Sequence, residues 1–138
     1  MRGREGVATA TEAKSVVRTE AAPAPFQGAP YSQAIRAGGF VFVSGQLGLK
    51  PGESEPRGGI EEQTEQIFAN LKAILAEAGS SLEQLVKTTV YLIDLGEFAA
   101  MNEVYARYVG DAPPARATVE VAALPSGARV ELEAVASL

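Results

Sequence analysis

Residues 60–110, IEEQTEQIFANLKAILAEAGSSLEQLVKTTVYLIDLGEFAAMNEVYARYVG, decide the fold. In their first part Ile60, Ile67, Phe68, Leu71, Ile74, Leu75 and Ala78 recur mostly at three- and four-residue spacing, and Gly79 stands where a left-handed C′ residue is favoured. This predicts a helix of about five turns laying one apolar stripe on a core. Ser81-Leu82-Glu83-Gln84 fits a capped short turn, and Val86 to Ile93, rich in β-branched residues, reads as a buried strand. Gly96 to Val109 predicts a second amphipathic helix on Phe98, Met101, Val104, Tyr105 and Tyr108, stopped by Gly110.

On the N-terminal side, Ile35-Arg36-Ala37 and Phe40-Val41-Phe42-Val43-Ser44 flank Gly38-Gly39, the pattern of a hairpin with a two-residue turn, and Gly45 is expected to end the second strand. Val16-Val17-Arg18-Thr19 is a candidate first strand. The following stretch to Pro30 cannot extend it, because Pro23, Pro25 and Pro30 lack the ladder donor. Pro51, Gly52, Ser54, Pro56, Gly58 and Gly59 mark a surface loop before the first helix. Met1 to Lys14 carries no apolar periodicity and no signal-peptide core; residues 1–14 are expected to be a flexible leader and 15–138 one domain.

On the C-terminal side, Ala115-Arg116-Ala117-Thr118-Val119-Glu120-Val121 and Val130-Glu131-Leu132-Glu133-Ala134-Val135 alternate in polarity and read as two more strands. The order strands, helix, strand, helix, strands gives an α+β sandwich, a six-stranded mixed sheet with both helices on one face. Apolar residues fall on more than one parity in the strands from Val86 and Val130. The far face would therefore be left uncovered in a monomer, and a closed homo-oligomer covers it.

Composition removes several chemistries. Among the 138 residues there is no cysteine and no histidine, so thiolate nucleophiles, disulfides, cysteine- or histidine-ligated metals and imidazole bases are all excluded. Proton transfer falls to carboxylates, tyrosine, lysine or water. A net charge of −5 without any Lys/Arg block argues against sequence-independent binding to nucleic acid or an anionic membrane. No apolar run approaches a membrane span, and the lack of cysteine is compatible with a reducing compartment; a cytoplasmic location is the expectation.

Arg116 and Glu131 are the main candidates for chemistry. A guanidinium forks bidentately onto a small carboxylate, and a glutamate facing the same site can move protons to or from water or a substrate nitrogen. Each has a structural alternative: Arg116 as a surface ion-pair partner, and Glu131 with Glu133 as one solvated strand face.

Pro114-Ala115-Arg116-Ala117-Thr118-Val119-Glu120-Val121, Leu124-Pro125 and Val130-Glu131-Leu132-Glu133-Ala134 together resemble the signature of the RidA/YjgF/UK114 family of reactive-intermediate imine/enamine deaminases. Pro30-Tyr31-Ser32-Gln33, Val43-Ser44-Gly45-Gln46, Gln63-Thr64 with Asn70-Leu71, Val86 to Val90, and Phe98 to Asn102 extend the resemblance, which runs from about Val16 to the C-terminus. It implies a chorismate-mutase-like fold and a homotrimer with a central barrel and sites between subunits. The implied chemistry, without cofactor or metal, is hydrolysis of 2-aminoacrylate, 2-aminocrotonate and related 2-imino acids to 2-keto acids and ammonia. By the same resemblance Arg116 clamps the carboxylate, Glu131 handles water and amine, and Tyr31 and Ser44 line the pocket. Asn102 is a polar contact, and Gly45 and Thr118 offer backbone donors. Tyr31 as a loop cover, Ser44 as a strand terminator and Asn102 as a solvent-facing residue are the alternatives. Two departures stand out: Ala29 where many members have glycine, and Thr118 where many have cysteine. A non-catalytic acid-binding trimer is the alternative function. A ribonuclease or translation inhibitor, described for some members, sits poorly with the acidic balance.

Overall fold

The computed structural model describes residues 13–138; the leader expected over residues 1–14 falls almost wholly outside them. Among the described residues six strands and two α-helices follow one another as β1 (Ser15–Val17), β2 (Ala34–Ala37), β3 (Phe40–Leu47), α1 (Ile60–Ala78), β4 (Leu85–Leu92), α2 (Phe98–Val109), β5 (Ala115–Glu120) and β6 (Val130–Ser137). They form one mixed sheet in the order β1-β2-β3-β6-β4-β5. Only the β4–β5 pair is parallel.

Connectivity explains why both helices share a face. β3 and β4 each run antiparallel to β6, so they run parallel to each other, and α1 makes the crossover between them. The β4-α2-β5 connection is a second crossover travelling in the same direction across the sheet. Two crossovers of the same hand and direction must lie on one side.

Helix α1 forms where its periodicity predicts. Its first turn is closed by Glu62, which accepts from the Gly59 N–H at 2.8 Å, and its last by Gly79 at φ 87°, with the Ser80 N–H reaching back to the Leu75 carbonyl. Ile67, Phe68, Leu71, Ile74 and Leu75 are wholly buried against Val41, Val90, Leu92 and Leu132 of the sheet. Phe68 meets Tyr105 edge-on at 5.5 Å and stacks on Tyr108 at 4.7 Å, which joins the two helices.

Several boundaries differ from expectation. β1 stops at Val17 because the Thr19 N–H turns to the Gln33 side chain at 2.8 Å instead of continuing the ladder. β3 does not end at Gly45; it continues to Leu47 through a bulge between Val43 and Gln46, since β6 still pairs with Gln46 and Leu47. α2 begins at Phe98, after a short 3-10 turn over Leu95–Glu97 capped by Asp94, whose carboxylate accepts from the Gly96 N–H. Phe98 is not core, being 41% exposed.

Opposite the helices, no described residue covers the sheet. A cross-strand row of Val16, Ile35, Phe42, Val135 and Lys87 crosses it, and Phe40 and Phe42 pack ring to ring at 6.4 Å in the open.

Candidate functional site

Register assigns each candidate to a face. Arg116, Thr118 and Glu120 of β5 stand opposite Thr88, Val90 and Leu92 of β4, which are buried beneath the helices. Glu131 and Glu133 of β6 stand opposite Tyr91 and Thr89, on the open face. A single chain therefore does not bring Arg116 and Glu131 to one site, against the expectation from their alternating strands: the sheet lies between them.

The helix-face group centres on Arg116. Its guanidinium lies over the Tyr105 ring at 4.7 Å and the Phe98 ring at 5.5 Å, a stacking that fixes the plane and leaves the N–H groups unspent. Tyr105 is fixed in turn by a 2.6 Å bond between its hydroxyl and that of Thr88. Among the described residues no carboxylate pairs with Arg116; the ion pairs go to Arg57, Arg107 and Arg129. Phe98, Asn102 and Tyr105 are spaced to share one helix face. Asn102 Oδ1 and Thr118 Oγ1 are both buried without a hydrogen-bond partner among the described residues. Unpartnered buried acceptors are costly, and two of them on the elements flanking an unpaired guanidinium mark a place fitted for a polar ligand. β5 is also an edge strand, so part of its backbone beside Arg116 and Thr118 remains unpaired.

The second group lines a cavity of about 370 Å³ formed by Phe26, Ala29, Tyr31, Ser44, Gly45, Leu47, Pro125 and Glu131. Tyr31 is held here by its hydroxyl, which accepts from the Phe26 N–H at 2.6 Å and so keeps its own proton for donation. The Ser44 hydroxyl donates to the Ser32 carbonyl at 2.6 Å, which ties the Tyr31 loop to β3 and leaves the serine oxygen as an acceptor. Ala29 sits in extended backbone at φ −62°, a conformation open to any residue, so its methyl group does not disturb the loop. Burial, and then the charge of Glu133, hold the Glu131 carboxyl above the usual glutamate range. Tyr91 donates to Glu133 at 2.8 Å, and that bond, with burial, raises the Tyr91 phenol in turn.

Supporting residues emerge that the sequence marked only as family matches. Asn70 donates to the Leu47 and Leu49 carbonyls, and Gln63 bonds the Gly58 carbonyl and the Arg129 N–H. Together they hold the end of β3 and the start of β6 against α1. The signal was present: Gln63 and Asn70 are polar residues on the stripe of Ile67 and Ile74. Of the other cavity walls, Pro125 was marked only within the Leu124-Pro125 family match, and Phe26 carried no signal. Among the described residues no three acidic side chains are grouped to hold a metal ion, and no helix is long and apolar enough to cross a membrane.

The fold and its two polar groups define an α+β protein built on a two-crossover sheet, with a cation on one face and a carboxylate on the other. The family model described as endoribonuclease L-PSP matches residues 19–138. A RutC family protein of Pyrococcus abyssi is 53% identical over 125 residues, 90% of this chain and 97% of that protein. Reactive Intermediate Deaminase A, chloroplastic, of Arabidopsis thaliana is 45% identical over 133 residues, 96% of this chain and 70% of that protein. The crystal structure of E. coli TdcF with bound serine superposes with a TM-score of 0.84 at 35% identity, covering 90% of this chain and 98% of that one. The chain belongs to the endoribonuclease L-PSP family, which includes proteins named RutC and RidA, as the resemblance read from its C-terminal strands implied.

Proposed function

We propose that the protein hydrolyses small 2-imino acids and their enamine tautomers, such as 2-aminoacrylate and 2-aminocrotonate, to 2-keto acids and ammonia. The observation that carries this reading is the unspent chemistry at Arg116: a guanidinium fixed on two rings, unpaired among the described residues, beside the buried unpartnered oxygens of Asn102 and Thr118. A planar carboxylate bearing an adjacent nitrogen suits that arrangement, with its oxygens on the guanidinium fork and its N–H directed to an acceptor. The 45% identity to a reactive intermediate deaminase and the small amino acid bound by TdcF support the same substrate class.

The second half of the reaction belongs to the cavity. A carboxyl that burial holds above its usual range keeps its proton better than an ordinary glutamate does and, once ionised, takes one back more readily. Glu131 protonates the imine nitrogen and, as carboxylate, takes a proton from water as the oxygen bonds to C2. Glu131 passes that proton to the carbinolamine nitrogen, the C–N bond breaks with nitrogen leaving as ammonia, and the hydroxyl proton returns to the Glu131 carboxylate as the carbonyl forms, so one water is consumed for each keto acid formed. Tyr31 donates to the developing oxygen or the amine. Since the sheet separates Arg116 from Glu131, a complete site takes Arg116 from one subunit and Glu131 from its neighbour, in a homotrimer whose open sheet faces meet. No cofactor enters this scheme.

The test is release of keto acid and ammonia from 2-aminoacrylate generated in situ by a serine or threonine dehydratase, for wild type, Arg116→Ala and Glu131→Gln at equal assembly. Acceleration by wild type that is lost in both variants supports the deaminase. No acceleration over the spontaneous reaction by an intact assembly replaces it with a binding role.

A further inference from the structure

The Glu131 carboxylate stands in a place that only glycine leaves open. A Cβ built on Gly45 would clash with Glu131 Oε2 and lie 2.9 Å from its Cδ and 3.2 Å from its Cγ. The backbone of Gly45 does not itself demand glycine, since its φ lies outside the left-handed region. Gly48, three residues on, differs in kind: a Cβ there would fall 2.7 Å from the Gln63 Cα and 2.8 Å from its carbonyl oxygen, so it is reserved for helix packing. At Gly45 the obstacle is the far end of one movable side chain.

Among the described residues no hydrogen bond or ion pair holds that side chain in place. The raised affinity of Glu131 for its proton comes from burial and from the charge of Glu133, with no hydrogen bond contributing. Its seat is therefore steric. The bulge between Val43 and Gln46 and the missing Cβ together open a recess beside Ser44, on the wall that also carries Tyr31.

We propose that Gly45 is a positioning residue, whose lack of a side chain sets where the Glu131 carboxylate stands relative to Tyr31 and Ser44. The kinetic consequence rests on the reading of Glu131 as the proton-transferring group; the geometric one does not.

The experiment compares Gly45→Ala in the wild-type and Glu131→Asp backgrounds, with 13C-carboxyl NMR titration of Glu131, its signal identified by loss in Glu131→Gln. Gly45→Ala is expected to keep its assembly, to lower kcat on the order of 100-fold with KM within about threefold, and to move the Glu131 titration toward an ordinary glutamate as the carboxylate swings outward. Aspartate is one carbon shorter and no longer reaches residue 45, so in the Glu131→Asp background the same change costs less than about twofold. Should Gly45→Ala fail to fold, rescue by adding Glu131→Ala supports the proposal and failure of that rescue overturns it. An unchanged Glu131 titration, or an equal loss of kcat in both backgrounds, also overturns it. If wild type itself lacks deaminase activity, the function falls and the titration alone decides the role of Gly45.

Discussion

The two faces of the sheet are built from the same alternating strands and end in opposite conditions. Under the helices Val41, Val90 and Leu92 are fully buried and the polar side chains of Thr88, Gln63 and Asn70 are satisfied. On the other face Phe42 is 47% exposed, Val16 52% and Val119 42%, with Glu131, Glu133 and Tyr91 set among them. A single chain completes one core and leaves the second as an offer. The charged candidates divide the same way, the Arg116 cation on the finished side and the Glu131 carboxyl on the unfinished one. Activity on this plan is a property of the assembly and stability largely a property of the chain.

The largest effect should come from the finished face. Phe68→Ala removes a wholly buried ring that contacts both Tyr105 and Tyr108, and should cost about 3–5 kcal/mol by denaturant unfolding. A comparable change at Phe42 should leave the unfolding of the lone chain nearly untouched.

Next comes the division of chemistry between copies. Arg116→Ala and Glu131→Gln should each lower kcat/KM by roughly 10²–10³-fold. Unfolding and refolding the two variants together should restore activity at about a quarter of the sites, because random assembly pairs an intact Arg116 with a neighbour's intact Glu131 that often. Refolded mixtures as inactive as their parents would place both residues in one chain's site and break the comparison.

A charge on the open face should act at the interface alone. Phe42→Arg is expected to cost association about 2 kcal/mol or more, seen as a shift toward monomer by light scattering, while far-UV circular dichroism stays that of wild type. The two aromatic rings at Phe40 and Phe42 are the anchor to test first.

The smallest effect sharpens the contrast through pH. Glu131 binds its proton more tightly folded than unfolded, so ionising it costs stability as pH rises through the raised folded value. Below the ordinary glutamate value, about 4.3, both states are protonated and the cost is absent. Glu131→Gln should therefore melt higher than wild type at neutral pH, on the order of 1–3 °C, and show no difference near pH 3.5 by calorimetry.

What was legible in the sequence was what is local. The 3.6-residue period of Ile67, Leu71, Ile74 and Leu75 and the Gly38-Gly39 turn name their elements because their cause lies within a few residues. The site residues could be named singly but not placed, because a strand's alternation says which residues share a face and not which face that is. Arg116 goes to the helix side only because β5 pairs with β4 in a register that sets it opposite Thr88, and a slip of one residue would have reversed it. Phe98 misled for a related reason: its apolar spacing fits a core, while its ring lies under the Arg116 guanidinium at the margin of the helix. The bulge in β3 was invisible, since Gly45 looked like a stop until a partner strand was known to run past it.

β6 follows every other element in the chain and yet lies between β3 and β4. Those two strands, although joined by α1, do not pair with each other and are linked into one sheet only when β6 arrives between them. While the chain is being synthesised the β2–β3 hairpin and the β4-α2-β5 unit can form early, each with a bare edge exposed, and neither can close the sheet. Folding should consequently wait on one late, long-range docking event, slow for a domain of this size and prone in the interval to edge-to-edge pairing with other nascent chains. The strand that carries Glu131 is thus also the clasp, so a chain able to place that carboxylate has already finished its sheet.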